Sequence, residues 1–273
     1  MGGKYRWLVM VGVVVATQWL VAPAEAQWIV SPEGQQREFD RIRFSAMYWR
    51  GGLDGKIDLG DIEWLPVILD VRDMLGITSS EGGYVVEANF GAGRRHRFIF
   101  TYVDRKHNGF NIMDIDATIG GWPIQAQVPI SSRIDLRQAR FSYNILLVAR
   151  PEVEIGFIGG VGWFETIAAV ETSLGNATAT LATPYPSFGG NLLINPAGRL
   201  RLYAEICGFP EVNVDQFGGW LADFQVRAEI FVIDNLGINA GYRWYQMDFR
   251  LEESDLAFGL KWNGFLVGAQ ARF

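Results

Sequence analysis

The chain has 273 residues, 49% of them hydrophobic, 14% aromatic and 20% charged, with 32 glycines. Such a mixture is neither disordered nor fibrous and suits one large domain. Lys and Arg total 24 against 30 Asp and Glu, and the net charge of −6 excludes the basic footprint of a nucleic-acid binder. The lone Cys207 excludes a disulfide framework, and two histidines, His96 and His107, are too few for a His/Cys zinc centre. No metal or cofactor is therefore expected.

In chain order, residues 1–26 carry Lys4 and Arg6, an apolar run from Trp7 to Ala22, and then Pro23-Ala24-Glu25-Ala26. Small residues at the last and third-last positions before Gln27 predict a secretory signal peptide cut at that point. Residues 27–41 read as a periplasmic N-terminal segment. After Gln27 no window approaches the roughly 18 consecutive apolar residues of a membrane-spanning helix. The exported chain is thus either soluble or a closed barrel, the other architecture that satisfies its backbone hydrogen bonds in lipid.

From residue 42 onward the dominant signal is alternation. Tyr84, Val86, Ala88 and Phe90 oppose Val85, Glu87 and Asn89; Phe141, Tyr143 and Ile145 oppose Arg140, Ser142 and Asn144; Phe224, Val226, Ala228 and Ile230 oppose Asp223, Gln225, Arg227 and Glu229. A period of two over so many segments predicts β-strands with one apolar and one polar face. Ten are expected: about 42–52, 83–92, 95–112, 133–149, 153–168, 185–194, 199–208, 219–233, 236–251 and 255–273.

Short turns join them in pairs at Gly91-Ala92-Gly93-Arg94, Arg150-Pro151-Glu152, Asn195-Pro196-Ala197-Gly198 and Asp234-Asn235. Longer connections are expected over 52–82, 119–132, 170–183 and 209–218. Short turns at one end and long loops at the other describe a transmembrane barrel, and Trp49, Tyr102, Trp163, Trp220, Trp244 and Trp262 are expected in its interfacial girdles. Within the first long connection, the apolar residues of Ile62–Ile77 suit a short helix after Pro66, an inward-folded plug, or a strand extension.

In the last strand Phe265, Val267, Ala269, Ala271 and Phe273 form one apolar or small face, with Gly268, Gln270 and Arg272 between them. Leu256, Phe258, Leu260 and Trp262 sit in the opposite phase, so a β-bulge at Asn263-Gly264 is expected. The terminal alternation ending in Phe273 resembles the C-terminal signature of bacterial outer-membrane β-barrel proteins, and with the N-terminal leader and the strand pattern the resemblance covers the whole mature chain. It implies recognition by the barrel-assembly machinery through Phe265, Val267, Ala269, Ala271 and Phe273. Leu69-Asp70-Val71-Arg72-Asp73-Met74-Leu75-Gly76-Ile77 resembles the segment between the first two strands in a group of uncharacterised small barrels.

The polar faces carry Arg140, Glu154, Arg201, Glu205, Asp223, Arg227, Glu229, Arg243 and Arg272. In a barrel of about ten strands the lumen is little wider than side chains can fill, so these charges are expected to pair across it. His107, in Asp104-Arg105-Lys106-His107-Asn108 with Asp114 and Asp116 beyond, is the one candidate for a general base at the outer rim.

The sequence therefore predicts an all-β, antiparallel up-and-down transmembrane barrel over 42–273, of about ten strands with eight or twelve as alternatives. It is expected in the bacterial outer membrane, in contact with outer-membrane lipid and, during biogenesis, the assembly machinery. The expected role is non-enzymatic, structural or surface-directed; the alternatives are a narrow channel for small solutes and a rim-active hydrolase using His107. Nothing in the sequence sets an oligomeric state.

Overall fold

In the computed structural model, the described residues are 41–59, 68–78, 80–119, 122–173, 175–214, 217–251 and 256–273. The leader and the 27–41 segment, apart from Arg41, lie outside them. The strands are β1 (Ile42–Leu59), β2 (Ile68–Asp70), β3 (Glu81–Ala92), β4 (His96–Ile119), β5 (Trp122–Ala149), β6 (Val153–Thr172), β7 (Gly175–Ala197), β8 (Leu200–Val214), β9 (Phe217–Phe231), β10 (Leu236–Leu251) and β11 (Leu256–Arg272). Each long strand pairs antiparallel with its sequence neighbour, and β11 returns to β1, closing a barrel of ten strands. The short β2 is an appendage: it pairs with β1 at Lys56–Asp58, beyond the stretch of β1 that β3 covers.

The two ends differ. At the terminal end the strands join through tight turns around 93–95, 150–152, 198–199 and 232–235. The chain end is tied in there as well, since the Phe273 carbonyl accepts the N–H groups of Arg41 and Ile42 at 2.9 and 3.1 Å. At the distal end several strands run much further than the alternation suggested. Residues 122–132 and 175–183, expected within loops, instead form strand: β4 and β5 pair as far as Ile119↔Trp122, and β6 and β7 as far as Thr172↔Gly175.

The extension is paired strand because its alternation is inverted. In the terminal half the outer face is apolar, for instance Phe265, Val267, Ala269 and Ala271 on β11 and Phe273 just after it, and the inner face is polar. A stretch of nine residues, tilted by the roughly 40° usual in such barrels, covers about 20 Å, close to the roughly 25 Å apolar band of outer-membrane barrels. In the distal half the inner face is apolar: Leu53, Ile57, Val103, Ile130, Ile134, Phe164, Leu181, Phe249, Phe258 and Leu260 are buried together. The outer face there carries Asp54, Lys56, Lys106, Asn108 and Arg133. The strands thus pass from a lipid-facing logic to that of a water-soluble barrel with a hydrophobic core.

The inversion also accounts for β11. Its pairing is unbroken from Arg43↔Arg272 to Leu59↔Leu256 on one side and from Leu236↔Ala271 to Leu251↔Leu256 on the other, so no bulge forms at Asn263-Gly264. Phe258, Leu260 and Trp262 point into the distal core, whereas Phe265, Val267 and Ala269 point outward. The apparent change of phase marks the level where the barrel leaves the apolar band.

The described part of the first long connection folds inward. After β2 the chain turns through 71–75, with Asp70 Oδ1 accepting the N–H groups of Arg72 and Asp73 at 2.9 Å each. This arrangement sends Leu69, Val71, Leu75 and Ile77 into the distal core, each 0–1% exposed. Asn111 and Ser132 donate to the Asp73 and Leu75 carbonyls at 2.7 and 2.5 Å, and Gly76 adopts φ +66 where a Cβ would strike the Phe110 carbonyl. Of the alternatives for Ile62–Ile77, the inward plug is the one formed by its described residues.

Candidate functional site

The interior of the terminal half is a layered polar network. In its central layer Arg227 on β9 reaches across the barrel to Glu87 on β3 with a two-pronged contact, Nη2 to Oε1 at 2.8 Å and Nη1 to Oε2 at 3.1 Å. Its Nε donates to Glu229 at 2.9 Å, and Glu229 accepts from Gln270 at 3.0 Å and pairs with Arg43 at 3.9 Å. The Tyr203 ring lies beneath the Arg227 guanidinium, 4.2 Å from Cζ to centroid. Strands β1, β3, β8, β9 and β11 are tied together at this level.

One layer further from the terminal end, Arg140 on β5 pairs with Glu205 on β8 and lies 3.5 Å from Asp223 on β9. Arg243 on β10 grips Asp223 through Nε at 2.8 Å and Nη2 at 2.6 Å. Gln138 accepts from Arg243 and donates to the Tyr185 hydroxyl, while the Tyr203 hydroxyl donates to Glu205 and so joins the two layers. Tyr185 fits because Gly162 faces it; a Cβ there would sit 2.2 Å from the Tyr185 ring. Nearest the terminal end, Arg97 donates to Glu154 at 2.6 Å, and Arg272 and Arg201 stack on the Phe231 ring at 3.5 and 5.1 Å.

Of the charged residues singled out in the sequence, Arg140, Glu205, Asp223, Arg227, Glu229 and Arg243 meet in the two linked layers. Glu154, Arg201 and Arg272 lie nearer the terminal end. Sequence reading missed Arg43, Glu87, Arg97, Gln138, Tyr185, Tyr203 and Gln270 as members. All share the inward phase of their strands, but phase alone does not say which residues across the barrel face one another.

The aromatic residues divide. Tyr102 and Trp163 stand on the outer face, 36% and 49% exposed, with Trp220 and Trp244 in the same outward phase of β9 and β10. Tyr48 and Tyr84, at 47% and 66%, join Tyr102 on the outer surface. Trp49 and Trp262 are corrections: both are 0% exposed and point into the barrel. Each is in the inward phase of its strand at the level where the lumen turns apolar, so the indole fills the core. The C-terminal set Phe265, Val267, Ala269, Ala271 and Phe273 lies on the outer face.

His107 is also a correction. It faces inward at 0% exposure, and neither ring nitrogen has a hydrogen-bond partner among the described residues. A rim base needs solvent access and an orienting acceptor, and His107 has neither. The side chains of Asp114 and Asp116 lie outside the described residues. Among the described residues no cluster of three or more His, Cys, Asp or Glu is arranged to hold a metal ion.

No protein-family model matches the chain, and no curated protein matches it in sequence. Solved structures do match in shape. The outer membrane protease OmpT from Escherichia coli superposes with a TM-score of 0.50 at 10% identity, covering 88% of this chain and 99% of that one. Ail, the attachment invasion locus protein of Yersinia pestis, gives 0.35 at 10% identity over 85% and 99%. The transport unit of the autotransporter AIDA-I from Escherichia coli gives 0.39 at 9% identity over 95% and 97%. The first of these likenesses places the fold, and the fold alone, with the bacterial outer-membrane β-barrels.

Proposed function

We propose that this chain is an outer-membrane barrel with a closed lumen, whose role is structural or directed at the cell surface, and neither conductive nor catalytic. The short-turn end then faces the periplasm and the extended strands stand outside the cell, as turns and loops are usually distributed in such barrels. Its partners are outer-membrane lipid on the apolar band and, during insertion, the barrel-assembly machinery.

The observation that carries this reading is the filling of the lumen over its whole described length. The terminal half holds guanidinium–carboxylate layers, with Arg227 and Glu229 at 3% and 0% exposure, and the distal half holds a packed apolar core closed by Leu69, Val71, Leu75 and Ile77. A conducting pore needs a continuous aqueous path lined by solvated groups. Recording from refolded protein in planar bilayers tests the proposal. Absence of steady conductance is expected, and reproducible single-channel steps would overturn it in favour of the narrow channel.

A further inference from the structure

We propose that the barrel holds a small monovalent anion of the halide class, enclosed between the upper charged layer and the distal apolar core. Among the described residues Arg140, Arg227 and Arg243 each touch a carboxylate, whereas Arg105 touches none. Arg105 is 1% exposed, and its Nη2 donates to the Gly51 and Glu81 carbonyls at 2.9 and 3.0 Å, while Nε and Nη1 have no acceptor among the described residues. Its Cζ stands 4.1 Å over the Trp49 ring, and Arg243 approaches the same ring at 5.0 Å. Gly83 makes room for this packing, since a Cβ there would lie 2.4 Å from Arg105 Cγ.

Trp49 Nε1 and Arg243 Nη1, at the ring that the two arginines share, also have no acceptor among the described residues, and neither do Trp262 Nε1 and the Tyr245 hydroxyl elsewhere in the same core. Trp49, Tyr245 and Trp262 are each 0% exposed, and the Tyr245 and Trp262 rings are 5.6 Å apart. A buried guanidinium with no carboxylate in contact, beside N–H groups that have no acceptor, is costly as it stands and is what an anion requires. Stacking on an indole offsets part of the cost but leaves those hydrogens unmet. Arg105, Trp49 and Arg243 are each 0–1% exposed, so a small ion suits the place better than an organic carboxylate.

The test is the unfolding temperature of the refolded full barrel at fixed ionic strength, with chloride or bromide replacing gluconate, which the enclosed site would exclude. A saturable rise with halide is expected. It should be lost in Arg105→Gln, and in Trp49→Phe, which keeps an aromatic ring and removes a single donor, its midpoint should move roughly tenfold or more to higher concentration. Crystals grown in bromide should show an anomalous peak in contact with Arg105 Nη1. No such peak, or the same halide response in the wild type and Trp49→Phe, overturns the proposal; should Arg105→Gln fail to fold, these two results still decide. The outcome is separable from the closed-lumen reading, because a conducting barrel that binds bromide here refutes that reading and leaves this inference standing.

Discussion

Arg227 ties two carboxylates together in the interior, because it meets Glu87 with two prongs and Glu229 with a third hydrogen bond. Removing one partner of a buried pair strands the other charge, so Arg227→Ala should destabilise the barrel by about 3–5 kcal/mol. Melting and bilayer recording side by side check this; in a filled lumen stability falls and conductance stays near zero. If solvent screened these groups, the same change would be almost neutral and would shift ion selectivity toward cations. His107 gives the opposite expectation. An imidazole buried with no partner costs stability, so His107→Leu should be neutral or stabilising by about 1 kcal/mol in a thermal melt, and any surface activity should persist.

At the scale of the element, β11 displays the change of environment most plainly, since one unbroken strand serves lipid with its last nine residues and the distal core with those before. Opposite substitutions should therefore hurt at the two levels. Val267→Arg places a charge in the apolar band, where it costs about 2 kcal/mol or more toward the midplane. Leu260→Ala leaves the band untouched but opens a cavity in the distal core, at about 2–5 kcal/mol. Comparing the yield of inserted barrel with its melting temperature separates the two: Val267→Arg should reduce insertion and Leu260→Ala mainly lower the melt. Equal behaviour would show that the two halves of β11 do not face different media. The segment Leu69–Ile77 belongs to the same core, so its removal should likewise loosen the distal end.

For the whole molecule, closure of β11 onto β1 joins the two ends of the sheet, so that in the terminal half each long strand is paired on both sides. The protein should migrate as a compact species on gels unless boiled. Recovery as a soluble protein would contradict the lipid-facing band. The architecture was readable in advance because alternation of period two, short turns and an apolar terminal strand are local properties that need no knowledge of what lies opposite. The distal extension was not: Ala177, Ala179 and Leu181 alternate with Thr178 and Thr180, but small residues and threonines read as loop until their pairing with β6 buries one face.

The sequence by itself determined the strand class, the approximate strand number and the polarity of each face within the apolar band, since these follow from side-chain order along a pleated chain. Only the tertiary structure decided what crosses the lumen. That Arg227 meets Glu87, that Arg105 lies on Trp49 without a carboxylate, and that Trp262 points inward all depend on the register of barrel closure, which brings together residues far apart in the chain. A phase along one strand assigns a side chain to a face; it takes the closed barrel to assign it a partner.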